Sequence, residues 1–545
     1  MAPVVRRSTL AGALAASLVA VAAFAATRGA FKGRDRNTIV IVTAQQATVP
    51  IPTMIEGAAS ATGNQDLADQ LFLRLAALGP GLNTSGDAGF TPQLARSWTR
   101  RDSVTLAFDL DPRARWHDGA PVVAQDVLLA FERARNPKIA PKLADLLHHI
   151  VSVTAESDRR VVIRFDHPYA EQFYDATFQV QPLPSHLLPN GAATPDLPRA
   201  FVDHPVGNGP FRFVRTVPGQ FTELAADPKF FLGKPGMQRL FLRIAADPDA
   251  RMNLLLTGEV DAMDAVPAPL SNIERLSGAP DLKLVSVPSP LMGYLLFNQR
   301  DRADSARPHP ILSDSVVRQA LVLALDRQLM LRATFGRWAD VPYGPVSQLL
   351  WVRRGSPRAA GPDTARARKL LASRGWTDHD GDGVLDRAGR PLSLALNYPL
   401  QSDVRRQLGL LVQEQLRQLG VHIDLVRLDG PVWAERRSRG DFDIDFSSAS
   451  QDPTPSGLTQ SWSCHGGTNV AHYCDPGVDS LMERAMMAQR GAGALWQQAL
   501  RRIEADAPAA FIYAPSYVFA VNRRLGTVKF EPVSVWRDLW EWSVR

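Results

Sequence analysis

The chain has 545 residues, of which 45% are hydrophobic and 21% charged, so it can form a substantial core and is not generally disordered. Its formal net charge is +6, but residues 1–38, with six basic residues and one acid, carry +5 of that charge. The rest of the chain is close to neutral, which argues against a nucleic-acid-binding surface, and we expect no nucleic-acid partner.

An export signal is predicted at the N-terminus. Arg6 and Arg7 precede an apolar stretch from Leu10 to Ala26, which contains the small-x-small pattern of a cleavage site. Residues 1–37 are therefore predicted to direct the protein to the periplasm or the extracellular space. An uncleaved membrane anchor is the alternative, although the stretch is short for a membrane span.

Strands and helices alternate along the body of the chain. Short apolar or alternating runs predict strands, and an apolar face that recurs every three to four residues predicts helices. The predicted strands are 37–44, 104–110, 160–165, 240–247 and 291–298, and the predicted helices are 122–133 and 315–333.

The stretch "TDHDGDGVLDRAGRPL" (377–392) places four aspartates around two glycines. Asp378, Asp380, Asp382 and Asp386 match the spacing of a calcium loop, but Gly389 stands where that loop has its bidentate Glu. A strand follows the stretch, where an EF-hand has a second helix. We favour a turn that ends in a small hairpin, with a structural calcium ion as the alternative.

The clearest supersecondary pattern follows this loop. It predicts, in order, strand 392–398, helix 404–419, strand 421–425, helix 431–438 and strand 442–446. Strands separated by helices in this way form a parallel α/β unit. Such units bind ligands at the carboxyl ends of their strands, which is where the segment "SSASQDPTP" (447–455) falls.

The two cysteines, Cys464 and Cys474, lie in "SWSCHGGTNVAHYCDP" (461–476). An oxidising compartment favours a disulfide between them. Zinc binding with His465 or His472 is the alternative, but the spacing of the two cysteines is not that of a usual zinc finger.

Catalytic patterns are scarce. The chain lacks the sequence motifs of α/β-hydrolases, zinc peptidases, P-loop proteins and dinucleotide-binding folds. His148 and His149 are adjacent, so on a helix their side chains would diverge and make a poor metal clamp. We expect no enzymatic activity, no cofactor and no metal, with a secreted hydrolase as the alternative function.

A set of longer stretches resembles the extracellular solute-binding proteins of family 5, the peptide and nickel group that serves ABC importers. The most characteristic stretch is residues 94–135, with "WHDGAP" (116–121) and Asp126. Trp116 is expected to pack under the turn and Asp126 to lie near the start of a helix, so both are structural. The resemblance continues through 206–214, 250–263, 294–298, 317–327, 440–446, 473–485 and 507–521.

This resemblance implies an α/β, two-lobed periplasmic-binding-protein fold with a hinge and an extra subdomain. Lobe one would comprise 38–82, 205–292 and 515–545, the subdomain 83–204, and lobe two 293–514. The expected function is a monomeric receptor that captures a peptide or other polar solute and delivers it to the permease subunits of an ABC importer. A peptide-holding or signalling receptor that is not coupled to import is a further alternative.

The resemblance also implies where the ligand binds. In peptide-binding relatives an Asp three residues before an Asp-Pro pair holds the ligand's ammonium group, but here Ala449 stands three residues before Asp452-Pro453. A buried ammonium needs a carboxylate partner, so either another acid such as Asp452 replaces it or the ligand has no free amine there. The candidate ligand-binding residues are Tyr294, Asn298, Ser448, Ser450, Asp452 and Trp462. For Asn298 the alternative is a bond to hinge backbone, for Trp462 a place in the core, and for the serines a solvated loop.

Overall fold

The structure is a computed structural model that describes residues 37–47, 50–54, 62–188, 196–267 and 269–545. The predicted export segment therefore lies, but for Asn37, outside the described residues. Across the described ranges, no helix combines the length and the apolar character that a bilayer crossing requires.

Strands are numbered in chain order. They are β1 (Thr38–Thr43), β2 (Ala76–Leu78), β3 (Phe90–Pro92), β4 (Ala95–Asp102), β5 (Thr105–Leu110), β6 (Ile150–Ser157), β7 (Arg160–Phe165), β8 (Phe211–Val217), β9 (Phe221–Ala226), β10 (Arg239–Ile244), β11 (Ala262–Met263), β12 (Leu282–Pro288), β13 (Leu291–Phe297), β14 (Ala339–Asp340), β15 (Asp386–Arg387), β16 (Arg390–Pro391), β17 (Ser393–Pro399), β18 (His422–Leu428), β19 (Ile444–Ser450) and β20 (Ala509–Asn522).

Helices are numbered in the same way. They are α1 (Thr62–Leu71), α2 (Ala124–Ala134), α3 (Pro141–Leu146), α4 (Gln172–Thr177), α5 (Arg199–Asp203), α6 (Pro248–Leu256), α7 (Leu270–Ser277), α8 (Ser315–Ala324), α9 (Arg327–Phe335), α10 (Thr364–Ser373), α11 (Asp403–Arg417), α12 (Gly430–Ser438), α13 (Gly457–Trp462), α14 (Pro476–Met487) and α15 (Ala492–Asp506).

A large mixed sheet runs through both lobes in the order β18-β17-β19-β13-β20-β11-β1-β10-β9-β8. β20 belongs to both lobes, because it pairs first with β13 and then with β12. On the lobe-one side, β1 is buried on both faces: Ile39 and Ile41 enter one core, and Val40 and Val42 enter another. Burial on two faces explains why this strand is a continuous apolar run.

A four-stranded antiparallel sheet, β4-β5-β7-β6, lies in the part of the chain predicted to be the extra subdomain, which we call the subdomain. Helix α2 follows the "WHDGAP" turn and packs its apolar face, including Val127 and Phe131, into the core shared with lobe one. Trp116 is buried, as expected. Its indole Nε1 donates to Asp126, which makes this turn and the helix start a single polar network.

Lobe two contains the parallel strands β17, β18 and β19 and the antiparallel β13. Alternate residues of β13 feed two separate cores, with Leu295 and Phe297 on one face and Tyr294 and Leu296 on the other. The predicted strand–helix–strand–helix–strand unit is present as β17, α11, β18, α12 and β19.

Two sequence expectations need correction. The predicted helix 315–333 is divided into α8 and α9, because Leu325 has an extended backbone (φ −87°, ψ 117°) and Asp326 caps the second helix through the backbone N–H of Leu329. The strand predicted at 442–446 runs from Ile444 to Ser450, because its last residues pair with the start of β13. The domain boundaries that the resemblance implies stay predictions.

Candidate functional site

The two lobes meet where the chain crosses between them in β20 and at the β12–β13 junction. β20 passes from its pairing with β13 to its pairing with β12 between Tyr513 and Ser516. In lobe one, β1, β10 and β11 run toward this crossing, and in lobe two β17 and β19 do the same. The carboxyl ends of both sets of parallel strands therefore face the space between the lobes, which is where α/β sheets bind ligands.

The serine-rich segment lies within β19 and not in a loop. Ser447 is opposite Tyr294, and Ser448 is opposite Gly293, in the pairing with β13. Because side chains alternate along a strand, Ser447 and Ala449 lie on one face of the sheet and Ser448 and Ser450 on the other. The four residues cannot all contact one ligand from the same face.

A polar cluster occupies the carboxyl edge of the lobe-two sheet. We call it the carboxyl-edge cluster, and it comprises Arg405, Trp433, Arg437, Asp445, Ser447 and Ser448. Asp445 is buried and accepts hydrogen bonds from the indole Nε1 of Trp433 (2.7 Å) and from the hydroxyl of Ser447. Arg437 Nε donates to Ser447 Oγ (3.0 Å) and lies 3.5 Å from Asp445 Oδ2.

Arg405 enters the same cluster from the first turn of α11. It donates to the hydroxyl of Ser448, and its guanidinium lies 5.1 Å from the ring centroid of Trp433. Its Nε is buried and has no hydrogen-bond acceptor among the described residues. Such an atom is costly to leave unsatisfied, so the geometry favours an added acceptor at this position.

The carboxyl-edge cluster has an excess of positive charge. It holds two guanidinium groups and one carboxyl group, and burial raises the pKa of that Asp445 carboxyl although Ser447, Arg437 and Trp433 oppose the shift. Two arginines beside one buried acid favour an anion, because guanidinium groups bind carboxylates and phosphates through charge-assisted hydrogen bonds.

Tyr294 and Trp462 are brought together, but in the core. Their ring centroids are 5.8 Å apart, and Trp462 also lies 5.5 Å from Phe511. Tyr294 is 5% exposed and Trp462 3%, so each has little surface to offer a ligand. The arrangement is that of an aromatic cluster behind the cleft, and direct ligand contact for either residue stays a prediction.

Asn298 lies four residues beyond Tyr294 along the chain, and its role as a ligand-binding residue stays a prediction. It follows the far end of β13, about 23 Å along the strand from Leu291 at roughly 3.3 Å per residue. Its side-chain amide donates to the carbonyl oxygens of Gly440 (2.8 Å) and Phe442 (3.0 Å), and its oxygen accepts from the N–H of Arg300. These bonds join the amino end of β19 to β13 and give Asn298 a structural role.

Ser450 is the last residue of β19, and Asp452 follows two residues later. Both are exposed. The surrounding protein nevertheless desolvates the Asp452 carboxyl group enough to raise its pKa. The pKa of Tyr174 in the subdomain is raised as well, mainly by its own burial and further by the negative charge of Asp452. Asp452 is therefore an exposed carboxyl group close to the subdomain, as expected for a residue in the wall of the cleft.

The subdomain and lobe two also contact each other directly. Glu171, before α4, accepts hydrogen bonds from Thr84 (2.7 Å) and from Thr454 of lobe two. Trp351 of lobe two donates from Nε1 to the same Thr84 hydroxyl (3.1 Å). Burial raises the pKa of Glu171, although the hydroxyl donors oppose the shift. We call Thr84, Glu171, Trp351 and Thr454 the interlobe latch.

The cysteines and the acidic loop lie outside this cleft. A disulfide joins Cys464 and Cys474, between α13 and α14. In the acidic loop the two carboxylate oxygens of Asp378 accept the backbone N–H groups of Gly381 (2.7 Å) and Gly383 (3.1 Å), and β15 and β16 form the predicted hairpin. The carboxylates of Asp378, Asp380 and Asp382 lie close enough to share an ion, yet these hydrogen bonds already stabilise the loop as a turn.

Several residues of the site were not found from the sequence. Arg405 had a usable signal, because it lies in the first turn of the helix that follows a parallel strand and so reaches the same sheet edge as the strand end. Arg437 and Glu171 had none, since only the folded chain brings them to Ser447 and to Thr454.

These features define a class of protein: two α/β lobes joined by crossing strands, with a polar cleft at the carboxyl ends of both sets of parallel strands. The model of the bacterial extracellular solute-binding proteins, family 5 Middle, matches residues 89–470. Since this match covers most of the chain, the protein belongs to that family.

Two relatives of similar extent support the assignment, and a solved structure supports the fold. The oligopeptide-binding protein AppA of Bacillus subtilis is 24% identical over 450 residues, which cover 80% of each chain. A Pseudomonas aeruginosa protein named "Probable di/tripeptide-binding protein 5" is 28% identical over 474 residues, covering 82% of this chain and 85% of that one. The solved structure of the ABC transporter substrate-binding protein CtaP from Listeria monocytogenes superposes with a TM-score of 0.78 at 20% identity, covering 94% of this chain and all of that one.

Proposed function

We propose that the chain is an exported, monomeric receptor that captures a peptide between its lobes and delivers it to the permease subunits of an ABC importer. Family membership supports the receptor and importer parts of this proposal. The observation that carries the choice of ligand class is the positively charged carboxyl-edge cluster at the cleft, with the acid Asp452 two residues after the end of β19.

The cluster suits the anionic end of a peptide. The unsatisfied Nε of Arg405 needs an acceptor, and a carboxylate supplies two oxygens in the plane that a guanidinium group prefers. Arg437 adds a second positive charge that Asp445 only partly neutralises. A terminal carboxylate, or an acidic side chain, is therefore the ligand group that we assign to this end of the cleft.

Asp452 suits the cationic end. Ala449, which stands where peptide-binding relatives have their acid, lies in β19 opposite Met292 and offers no charge. Asp452 is the acid of this segment that faces the subdomain, as its electrostatic effect on Tyr174 indicates. It takes the role of holding the ligand's ammonium group.

Capture and release follow from the two-lobed architecture. A ligand that touches both lobes stabilises the closed arrangement by the difference between its affinities for the closed and open states. The closed form then presents both lobes to the importer in a fixed orientation, and hinge motion about β13 and β20 returns the open form.

Binding selectivity tests the proposal. The mature chain is incubated with two random tripeptide libraries, one with free termini and one with an acetylated N-terminus and an amidated C-terminus, and retained peptides are identified by native mass spectrometry. We expect retention of the first library only. Binding of the blocked library at equal strength, or of neither library, would contradict the proposed peptide receptor.

Two substitutions assign the two ends. Asp452→Asn should weaken peptides with a free N-terminus at least tenfold without affecting N-acetylated ones, and Arg405→Gln should weaken peptides with a free C-terminus but not their amides. Asp424→Asn, on the exposed side of β18, and Arg417→Gln, at the far end of α11, are matched controls that should bind like the unmodified chain. Peptides recovered shortened after incubation would instead favour a hydrolase.

A further inference from the structure

A second cluster of chemistry-bearing side chains lies on the subdomain, away from the cleft. His149 directly precedes β6, and Asp166 and His167 directly follow β7. The pairing of Ile150 with Phe165 brings the two ends of this hairpin together. The Nδ1 of His149 lies 3.0 Å from Asp166 Oδ2, and the Nδ1 of His167 lies 2.6 Å from Asp166 Oδ1.

Packing holds both imidazole rings in place. Tyr169 has its ring centroid 5.3 Å from that of His149 and 5.3 Å from that of His167, and its hydroxyl donates to Asp175 (2.8 Å). The ring of His148 covers His149 at a centroid distance of 3.7 Å. The side chains of His149 and His167 are nevertheless 32% and 31% exposed, so an ion from solvent has access to them.

The donor set and its spacing fit a transition-metal ion. Two imidazole nitrogens and one carboxylate oxygen are ligands that zinc and its neighbours in the first transition row prefer, whereas calcium and magnesium prefer oxygen alone. Ligand atoms about 2.1 Å from one ion, at ordinary coordination angles, are roughly 3 Å apart. One candidate atom from each of the three residues lies within 4.8 Å of the others.

We propose that His149, Asp166 and His167 form a binding site for a divalent first-row transition-metal ion such as Zn²⁺, with its remaining coordination positions open to water. The adjacent pair His148 and His149 argued against a metal clamp only if both lay on a helix. In the structure they lie after the end of α3, and the second imidazole ligand comes from His167, eighteen residues further along the chain.

Zinc titration of the full chain tests the site. The protein is prepared without a histidine tag, stripped with chelator and titrated with ZnCl₂ by calorimetry, with CaCl₂ in a parallel titration. We expect one zinc ion per chain, no calcium binding at the same concentrations, and a melting temperature that rises with zinc, because an ion that binds only the folded state stabilises it.

Variants locate the ion. His149→Gln and His167→Gln should each weaken zinc binding at least tenfold and abolish the zinc-dependent rise in melting temperature, while their metal-free melting temperatures stay near that of the unmodified chain. His422→Gln, at an exposed position in β18, and Asp380→Asn, in the acidic loop, should bind zinc normally. Absence of saturable zinc binding, or equal binding by His149→Gln and His167→Gln, would overturn the proposal.

Discussion

Replacing Asp126 by Asn should destabilise the subdomain far more than the loss of one surface charge. The Asp126 side chain is fully buried, and its Oδ2 accepts from the indole of Trp116 (2.9 Å) and the backbone N–H of Val123 (2.8 Å). Its Oδ1 accepts from the backbone N–H (2.9 Å) and the hydroxyl (2.6 Å) of Ser185. An Asn side chain keeps one acceptor oxygen and turns an NH₂ group toward the other pair of donors.

The expected cost follows from the orientation that leaves the fewest donors unsatisfied. With the NH₂ group toward Ser185, the Ser185 hydroxyl can turn and accept from it, and the backbone N–H of Ser185 is left without an acceptor. A donor without an acceptor costs about 1–3 kcal/mol of the subdomain's opening free energy. At about 1.4 kcal/mol per factor of ten, the lower bound already corresponds to a loss of amide protection of roughly fivefold.

Native-state hydrogen exchange measured by mass spectrometry is the appropriate assay, because it reports the opening of α2 and of the β4–β7 sheet separately from the rest of the chain. Asp145→Asn, the same chemical change at an exposed position of α3, is the control and should leave protection unchanged. Equal protection of α2 in both variants would refute the view that Asp126 is a structural centre of the "WHDGAP" motif.

Three further predictions concern packing, pH and calcium. In Gly293→Ala the new Cβ would lie 2.1 Å from ring atoms of Tyr513, so we expect the unfolding free energy to fall by about 1–3 kcal/mol. Truncating Tyr513 as well should restore part of that loss. A Gly293→Ala variant that melts like the unmodified chain would contradict this packing. Because the folded pKa of Glu171 is raised, its contribution to stability is present below the unfolded value near 4.5 and is lost as the pH rises through the folded pKa. Glu171→Gln should therefore make the melting temperature less sensitive to pH above about 4.5. Melting temperatures of the two proteins that change in parallel with pH would contradict a raised folded pKa for Glu171. The melting temperature should be the same with calcium and with chelator, because the Asp378 carboxylate already accepts two backbone N–H groups. A melting temperature that rises with calcium would show an ion site in the acidic loop.

The strands and helices of the parallel unit could be predicted because their patterns and packing agree. Leu394 and Leu396 alternate into one core, and Leu408, Val412 and Leu416 of α11 cover the same core. The break between α8 and α9 was missed because apolar residues on both sides of it enter that core too, so the periodicity continues across the break. The capping residue Asp326 was a local signal that the periodicity concealed.

The length of β19 had no comparable signal. Its last residues, "SSAS", lack an apolar alternation, and they are extended only because β13 pairs with them from Leu291 onward. Because pairing with a distant strand leaves no local signal, a solvated loop stood as an alternative for these residues. The strand places the candidate residues Ser448 and Ser450 on one face of the sheet and Ser447 and Ala449 on the other.

The interlobe latch has a consequence for how the receptor closes. Hydrogen bonds from Thr454 to Glu171 and from Trp351 to Thr84, and a backbone bond from Ala170 to Met486 (2.8 Å), join the subdomain to lobe two without passing through a ligand. At about 0.5–1.5 kcal/mol of net stabilisation each, such bonds favour the arrangement in the structure over one in which the subdomain and lobe two are separated. The ligand then has to supply only the remaining free-energy difference, through the contacts it makes with both lobes, so its affinity depends on the strength of the latch as well as on the cleft itself.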